Sequence, residues 1–151
     1  GDHFRPEKIT GVGVNFFNMR FDNIAGSNEW ICSDVNVREA QSKDPLCNFT
    51  FTLNGYECLM TLVGDVYSHR GWLVKNPNLP ICFISGSDDP CMMSRGKLIE
   101  ALGFLQYAGY ENVSYRIYKG MRHELYNETE KEKVFADMKE KMEIWTYLKN
   151  R

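Results

Sequence analysis

Apolar residues change their spacing near the middle of the chain. Leu59, Leu62, Val63 and Val66 stand at i, i+3, i+4 and i+7, a stripe along one face of a helix. Asn54 is the expected N-cap of that helix, which should run to about Trp72. A shorter helix is expected before it, capped by Ser33 or Asp34, running to about Ser42 and stopped by Pro45. Asn76-Pro-Asn-Leu-Pro80 forbids helix and delivers the chain into an extended segment. From Ile81 the spacing is different. Ile81-Cys-Phe-Ile-Ser85 is a nearly continuous apolar run, as in a parallel strand covered on both faces. A helix over about 94–108 follows, with Leu98, Ala101, Leu102 and Leu105 on one face and Gly109 placed to close it. Val113–Tyr118 alternates and reads as a second strand. Asn127 with Glu130 forms a capping-box pattern for a last helix, which should turn Val134, Met138, Met142, Trp145 and Leu148 inward.

The order strand–helix–strand–helix over 81–149 predicts an α/β fold: one right-handed βαβ unit with a covering helix. Residues 1–75 read as a mostly helical, aromatic-rich region that serves as a cap or lid, and 76–151 as the core. Two parallel strands make a poor sheet. The apolar edge of Ile81–Ser85 is therefore expected to be covered, by a second copy, a swapped strand or cap residues.

With 151 residues the chain corresponds to about one domain. Its net charge of -2 argues against a nucleic-acid partner. No apolar run approaches the ~20 residues of a membrane span, and residues 1–5 lack a signal-peptide core. The five cysteines show no CxxC or CxxH spacing. That disfavours a disulfide framework or a zinc site and predicts reduced thiols in the cytoplasm.

The chemistry gathers where the two strands end. In open parallel sheets, ligands and reacting groups sit beyond the carboxyl ends of the strands. Here the first strand is followed by Asp88-Asp89-Pro90 and the second by Gly120-Met-Arg-His123-Glu124. Neighbouring strands lie about 4.8 Å apart, so the two loops can bring an Asp carboxylate to a His ring. A carboxylate on Nδ1–H fixes the tautomer and leaves Nε2 as a general base. Taken singly, Asp-Asp-Pro is also an ordinary turn, and a loop histidine is ordinarily solvated.

Gly86-Ser-Asp-Asp89-Pro, a helix, and then Tyr118-Lys-Gly-Met-Arg-His123-Glu-Leu-Tyr-Asn-Glu128 resemble the C-terminal end of an α/β-hydrolase. The match is to the monoacylglycerol lipase/lysophospholipase branch of the serine-aminopeptidase-like family. The resemblance implies Asp89 as triad acid and His123 as triad base. It also implies that Glu124, Asn127 and Glu128 fix the loop and cap the last helix. Residues 13–21, Glu29–Asp34 and Asp44–Cys47 resemble the cap of that family.

The family nucleophile is a serine in G-x-S-x-G on a strand-to-helix elbow. Met92-Met-Ser94-Arg-Gly96 lacks the first glycine, and Ser85 and Ser87 flank Gly86 without the motif. The resemblance thus implies an incomplete α/β-hydrolase core, two parallel strands with flanking helices, plus a mostly helical cap. The serine is expected upstream, and the isolated chain is expected to be inactive. The implied reaction is cleavage of a monoacylglycerol or lysophospholipid ester, with no metal or organic cofactor. An amide substrate stays open. So does the alternative of a truncated half that serves as a lipid-binding or protein-interaction module. The implied partner of the strand edge is a second copy or the N-terminal half. Phe49, Phe51, Tyr56 and Met60, around the start of the second helix, are candidates to line an acyl pocket; the alternative is the small core of the cap. Cys91 could act as a nucleophile only beside His123, and no elbow presents it.

Overall fold

The computed structural model describes residues 3–6, 16–21, 28–47, 49–68 and 70–149. Residues 13–15 of the expected cap segment lie outside the described residues. Two strands, β1 (Ile81–Gly86) and β2 (Val113–Tyr118), form a parallel sheet. The register sets Ile81 opposite Val113 and Gly86 opposite Tyr118, so both strands end level. Helices α1 (Val35–Lys43) and α2 (Leu53–Val66) precede the sheet, α3 (Arg95–Ala108) joins its strands, and α4 (Lys131–Lys149) follows.

Local chemistry explains the boundaries. Asp34 Oδ1 accepts from the Asn36 and Val37 amides at 2.9 and 3.5 Å, which starts α1. Ser94 Oγ accepts from the Lys97 amide at 3.2 Å, which starts α3. Gly109 closes α3 with φ 115°, a left-handed conformation that glycine adopts without a Cβ clash. On α3, Leu98 and Leu102 are buried. At the carboxyl ends of the strands and in the loop and helix that follow lies a core of Tyr118, Met121, Leu125 and Val134, with Ile84 and Met138 packed against it.

Four expectations need correction. First, the N-cap of α2 is Thr52, whose hydroxyl accepts from the Gly55 amide at 3.1 Å; Asn54 lies inside the first turn. That helix ends at Val66 rather than near Trp72, and the chain turns through Gly71 at φ 81°. Second, α4 starts at Lys131, not at Asn127. Asn127 is held in the short 3-10 turn Leu125–Asn127, where its Nδ2 donates to Glu124 Oε2 at 2.7 Å, so its side chain is not available as a cap. Third, only the first turns of α4 reach the core: Val134 is fully buried, while Met142 and Leu148 are exposed. The stripe on α2 is likewise exposed along its length. Apolar spacing identifies a face but not what covers it. Fourth, Ile81–Ile84 are half-buried rather than enclosed, because β2 is the one strand paired with β1 among the described residues.

Candidate active site

Two loops leave the same end of the sheet and lock together. The Ser87 amide donates to Tyr118 O at 2.8 Å and the Asp88 amide to Met121 O at 3.0 Å. The Gly120 amide donates to Ser87 Oγ at 2.8 Å. Gly86 makes the approach possible. A Cβ there would lie 2.0 Å from Met121 O and 2.5 Å from Arg122 O. The glycine is needed for close contact between two backbones.

This clamp sets Asp89 against His123. Asp89 is buried, and both of its carboxylate oxygens lie 3.2 Å from His123 Nδ1. Oδ1 also accepts from the Cys91 amide at 2.8 Å, and Oδ2 from Ser85 Oγ at 3.4 Å. Burial pushes the Asp89 carboxyl up, but the bonds from His123 and the Cys91 amide, the His123 charge and the Ser85 hydroxyl outweigh it, so its pKa falls below the ordinary value. The Asp89 hydrogen bond, with Cys91 alongside, pushes His123 up to about 10 against the opposing effect of burial. The His123 side chain keeps 41% of its surface exposed. It borders a cleft of about 390 Å³ lined by Ile84, His123 and residues Glu124–Asn127. The arrangement can hold an imidazolium, orient the ring through Nδ1, and offer Nε2 to a proton donor.

The resemblance implied Glu124, Asn127 and Glu128 as residues that fix the histidine loop; sequence reasoning missed the segment they fix it to. Residues 29–33 lie along it. The His123 amide donates to Trp30 O at 3.3 Å and the Glu124 amide to Ile31 O at 2.7 Å. The Trp30 ring packs on the His123 ring, centroids 5.1 Å apart, and on Phe17 behind it at 5.0 Å. The Arg122 guanidinium lies over the Phe21 ring, donates to Glu29 O and Cys32 O, and sits 3.8 Å from Glu29 Oε2. The carboxylate of Glu128, only 2% exposed, ties the pieces together. It accepts from the Ser33 amide at 3.0 Å, from the Ser33 hydroxyl, and from the Arg122 amide at 2.6 Å. The two bonds from Ser33 span 95 positions and the one from the Arg122 amide spans six, and no residue pattern announces Ser33 as the distant partner.

Glu128→Ala will therefore loosen the histidine loop. It removes a charged acceptor and strands two amides, at roughly 1–3 kcal/mol for each unsatisfied group. A drop of about 3 kcal/mol in unfolding free energy is expected by urea titration. A variant within 0.5 kcal/mol of the parent would show that Glu128 is not the tie.

Phe49, Phe51 and Tyr56 form one aromatic cluster, with ring centroids 5.3 and 5.6 Å apart. Phe49, Phe51 and Met60 are exposed, at 52%, 45% and 61%, so they do not form a closed core for the cap. None of them lines the cleft at His123. Cys91, by contrast, is brought to the site. Its sulfur, a His123 ring nitrogen and an Asp89 oxygen lie within 4.8 Å of one another. No helix among the described residues is long and apolar enough to cross a membrane.

Solved structures with this arrangement of elements share its fold. A thermostable carboxyl esterase from Bacillus coagulans in complex with glycerol superposes with a TM-score of 0.75 at 17% identity, covering 97% of this chain and 46% of that one. A lipase in its open form gives 0.68 at 23% identity, covering 91% and 44%. A soluble variant of monoglyceride lipase from Saccharomyces cerevisiae, bound to a substrate analog, gives 0.59 at 21% identity, covering 89% and 48%. The chain thus spans about half the length of these α/β-hydrolases. No curated protein matches it in sequence. Residues 7–130, most of the chain, match the family described as serine aminopeptidase, S33, and the chain belongs to that family of hydrolases.

Proposed function

We propose that Asp89 and His123 are the acid and base of a Ser-His-Asp triad that cleaves a carboxylic ester. The observation that carries this reading is the buried Asp89 carboxylate, with both oxygens 3.2 Å from Nδ1 of a partly exposed histidine at the strand ends. The nucleophile is a serine outside these 151 residues, since none here stands in G-x-S-x-G. Its Oγ attacks the acyl carbonyl as His123 takes its proton through Nε2. His123 then gives that proton to the leaving alkoxide, and an acyl-enzyme forms. Water, activated by the same histidine, adds to the ester carbonyl of that intermediate and releases the acid. Asp89 holds the ring and stabilises the imidazolium in both halves of the cycle.

The substrate is a monoacylglycerol or lysophospholipid. Likeness to a monoglyceride lipase and a carboxyl esterase supports this class, with Phe49, Phe51, Tyr56 and Met60 on residues 1–75, the cap, offered to the acyl chain. Residues 76–151 are the C-terminal part of the core. The nucleophile-bearing part pairs with the edge of β1 that no strand among the described residues occupies, beside the His123 cleft, where Ile84 is half-covered. Five free thiols fit a reducing compartment, the cytoplasm.

Labelling with a fluorophosphonate, read by intact mass, tests the reading. A chain extended upstream should label and lose turnover on His123→Ala, and the 151-residue chain should not label. Labelling of the short chain would reveal an overlooked nucleophile. Labelling of neither would favour a binding module.

A further inference from the structure

Asp89 and His123 do not stand alone at the strand ends. Cys91 leaves the same 3-10 turn, Pro90–Met92, that Asp89 caps. One ligand atom from each of Asp89, Cys91 and His123 lies within 4.8 Å of the others. We propose that these three side chains form a zinc site with its fourth position open.

Ligand chemistry selects the ion. A thiolate, an imidazole and a carboxylate make a mixed borderline-soft set, which suits zinc and not magnesium or calcium. Tetrahedral zinc, with bonds of about 2.0–2.3 Å, needs ligand atoms roughly 3.3–3.8 Å apart. A closure of about an ångström, within reach of small side-chain rotations, completes the set. The ligands are also oriented in advance, as outer bonds orient them in metal sites. Asp89 is held by the Cys91 amide at 2.8 Å and by Ser85 Oγ at 3.4 Å. The His123 ring rests on Trp30, and its own amide is bonded to Trp30 O. Entry is open: Cys91 is exposed and lines a groove of about 650 Å³ with Phe83, Met92 and Phe104. Cysteine spacing does not reveal the site, because two ligands share one turn and the third comes from the loop after β2.

Binding exchanges protons for the ion. Zinc takes the place of the proton on the ring nitrogen facing Asp89 and of the thiol proton of Cys91, and both leave to solvent. A histidine so engaged no longer relays a proton, so zinc would arrest turnover. That consequence rests on the triad reading; the binding does not.

Cobalt(II) titration of the reduced, metal-free 151-residue chain tests the site without any need for activity. One cobalt per chain should produce a thiolate-to-cobalt charge-transfer band in the near ultraviolet and tetrahedral ligand-field bands in the visible, both displaced by zinc. Cys91→Ser should abolish the charge-transfer band. His123→Ala and Asp89→Asn should each weaken binding by about tenfold or more. A Cys47→Ser/Cys58→Ser variant, which lacks two other exposed thiols, should bind like the parent. Far-ultraviolet circular dichroism confirms that each variant is folded. No band in the parent, a band that survives Cys91→Ser, or one lost with Cys47 and Cys58 overturns the proposal. Fluorophosphonate labelling of the longer enzyme fails or succeeds independently of the cobalt spectrum, so the two readings are separable.

Discussion

Gly86→Ala will unfold or severely destabilise the strand-end clamp, at about 3 kcal/mol or more. The expected size follows from what the new methyl would strike. Its Cβ would lie 2.0 Å from Met121 O, 2.3 Å from Met121 C and 2.5 Å from Arg122 O. All three are backbone atoms, so no rotamer change relieves the clash. Overpacking that side chains can absorb costs about 1–3 kcal/mol; here the backbone of the histidine loop must move. That loop is bonded on its other side to Trp30 O, Ile31 O and Glu128, so it cannot withdraw without breaking those contacts. Total stabilities of small domains are about 5–15 kcal/mol, which makes this a large fraction. In the complete enzyme a displacement of about an ångström at His123 would cost on the order of 10²-fold in rate even where the fold survives. Urea midpoints and the His123 ring resonances read the two effects separately. A variant with the parent's midpoint and an unmoved ring signal would show that the loop yields freely and that Gly86 is no more than a turn residue.

Such contacts mark where the sequence ran out of information. The strands, α1 and α3 were legible because their signals are local: the apolar run from Ile81, the alternation through Tyr118, Ser33 or Asp34 as the cap of α1, and for α3 the leucine spacing with Gly109 placed to close it. Their parallel order was legible too, and with it the level strand ends that bring Asp89 to His123. Gly86 was visible only as the end of a strand, since close approach to Met121 is a tertiary fact. The dock of Glu29–Ser33 onto the histidine loop was not visible either, because carbonyl oxygens accept whatever side chain they carry. Asn54 and Asn127 are good capping residues, but at each helix a neighbouring arrangement took precedence: Thr52 caps α2, and Asn127 is tied to Glu124. The exposed stripes of α2 and distal α4 show the same limit from the other side. Periodicity wrote an apolar face, and the described residues do not cover it.

Asp89→Asn will lower the pKa of His123 from about 10 toward its ordinary 6.5 and, in a complete enzyme, cut turnover by on the order of 10⁴. The first effect follows from the cause of the shift, the carboxylate hydrogen bond and charge at Nδ1. The second follows from the tautomer. An amide oxygen or nitrogen at Nδ1 no longer enforces Nδ1–H, and it leaves the imidazolium without its counter-charge. The pair also links stability to pH, with opposite signs on its two limbs. His123 holds its proton more tightly folded than unfolded, so its contribution is complete below pH ~6.5 and is lost as pH rises through about 10. The folded pKa of Asp89 is depressed, so its contribution is present above the unfolded value of ~3.9 and is lost as pH falls through the folded one. Stability from the pair is therefore greatest between these limits, and its amplitude is damped because the His123 ring is 41% exposed to screening solvent. Asp89→Asn should flatten both limbs. The same protonation bears on rate: Nε2 accepts the serine proton only while the ring is neutral, so turnover of a complete enzyme with Asp89 intact should climb with pH into the alkaline range. In Asp89→Asn the small residual rate should reach its plateau at lower pH. An NMR titration of the His123 ring decides the matter. If the ring titrates at the same pH in parent and variant, the carboxylate is not what charges it, and the triad assignment of Asp89 falls with it.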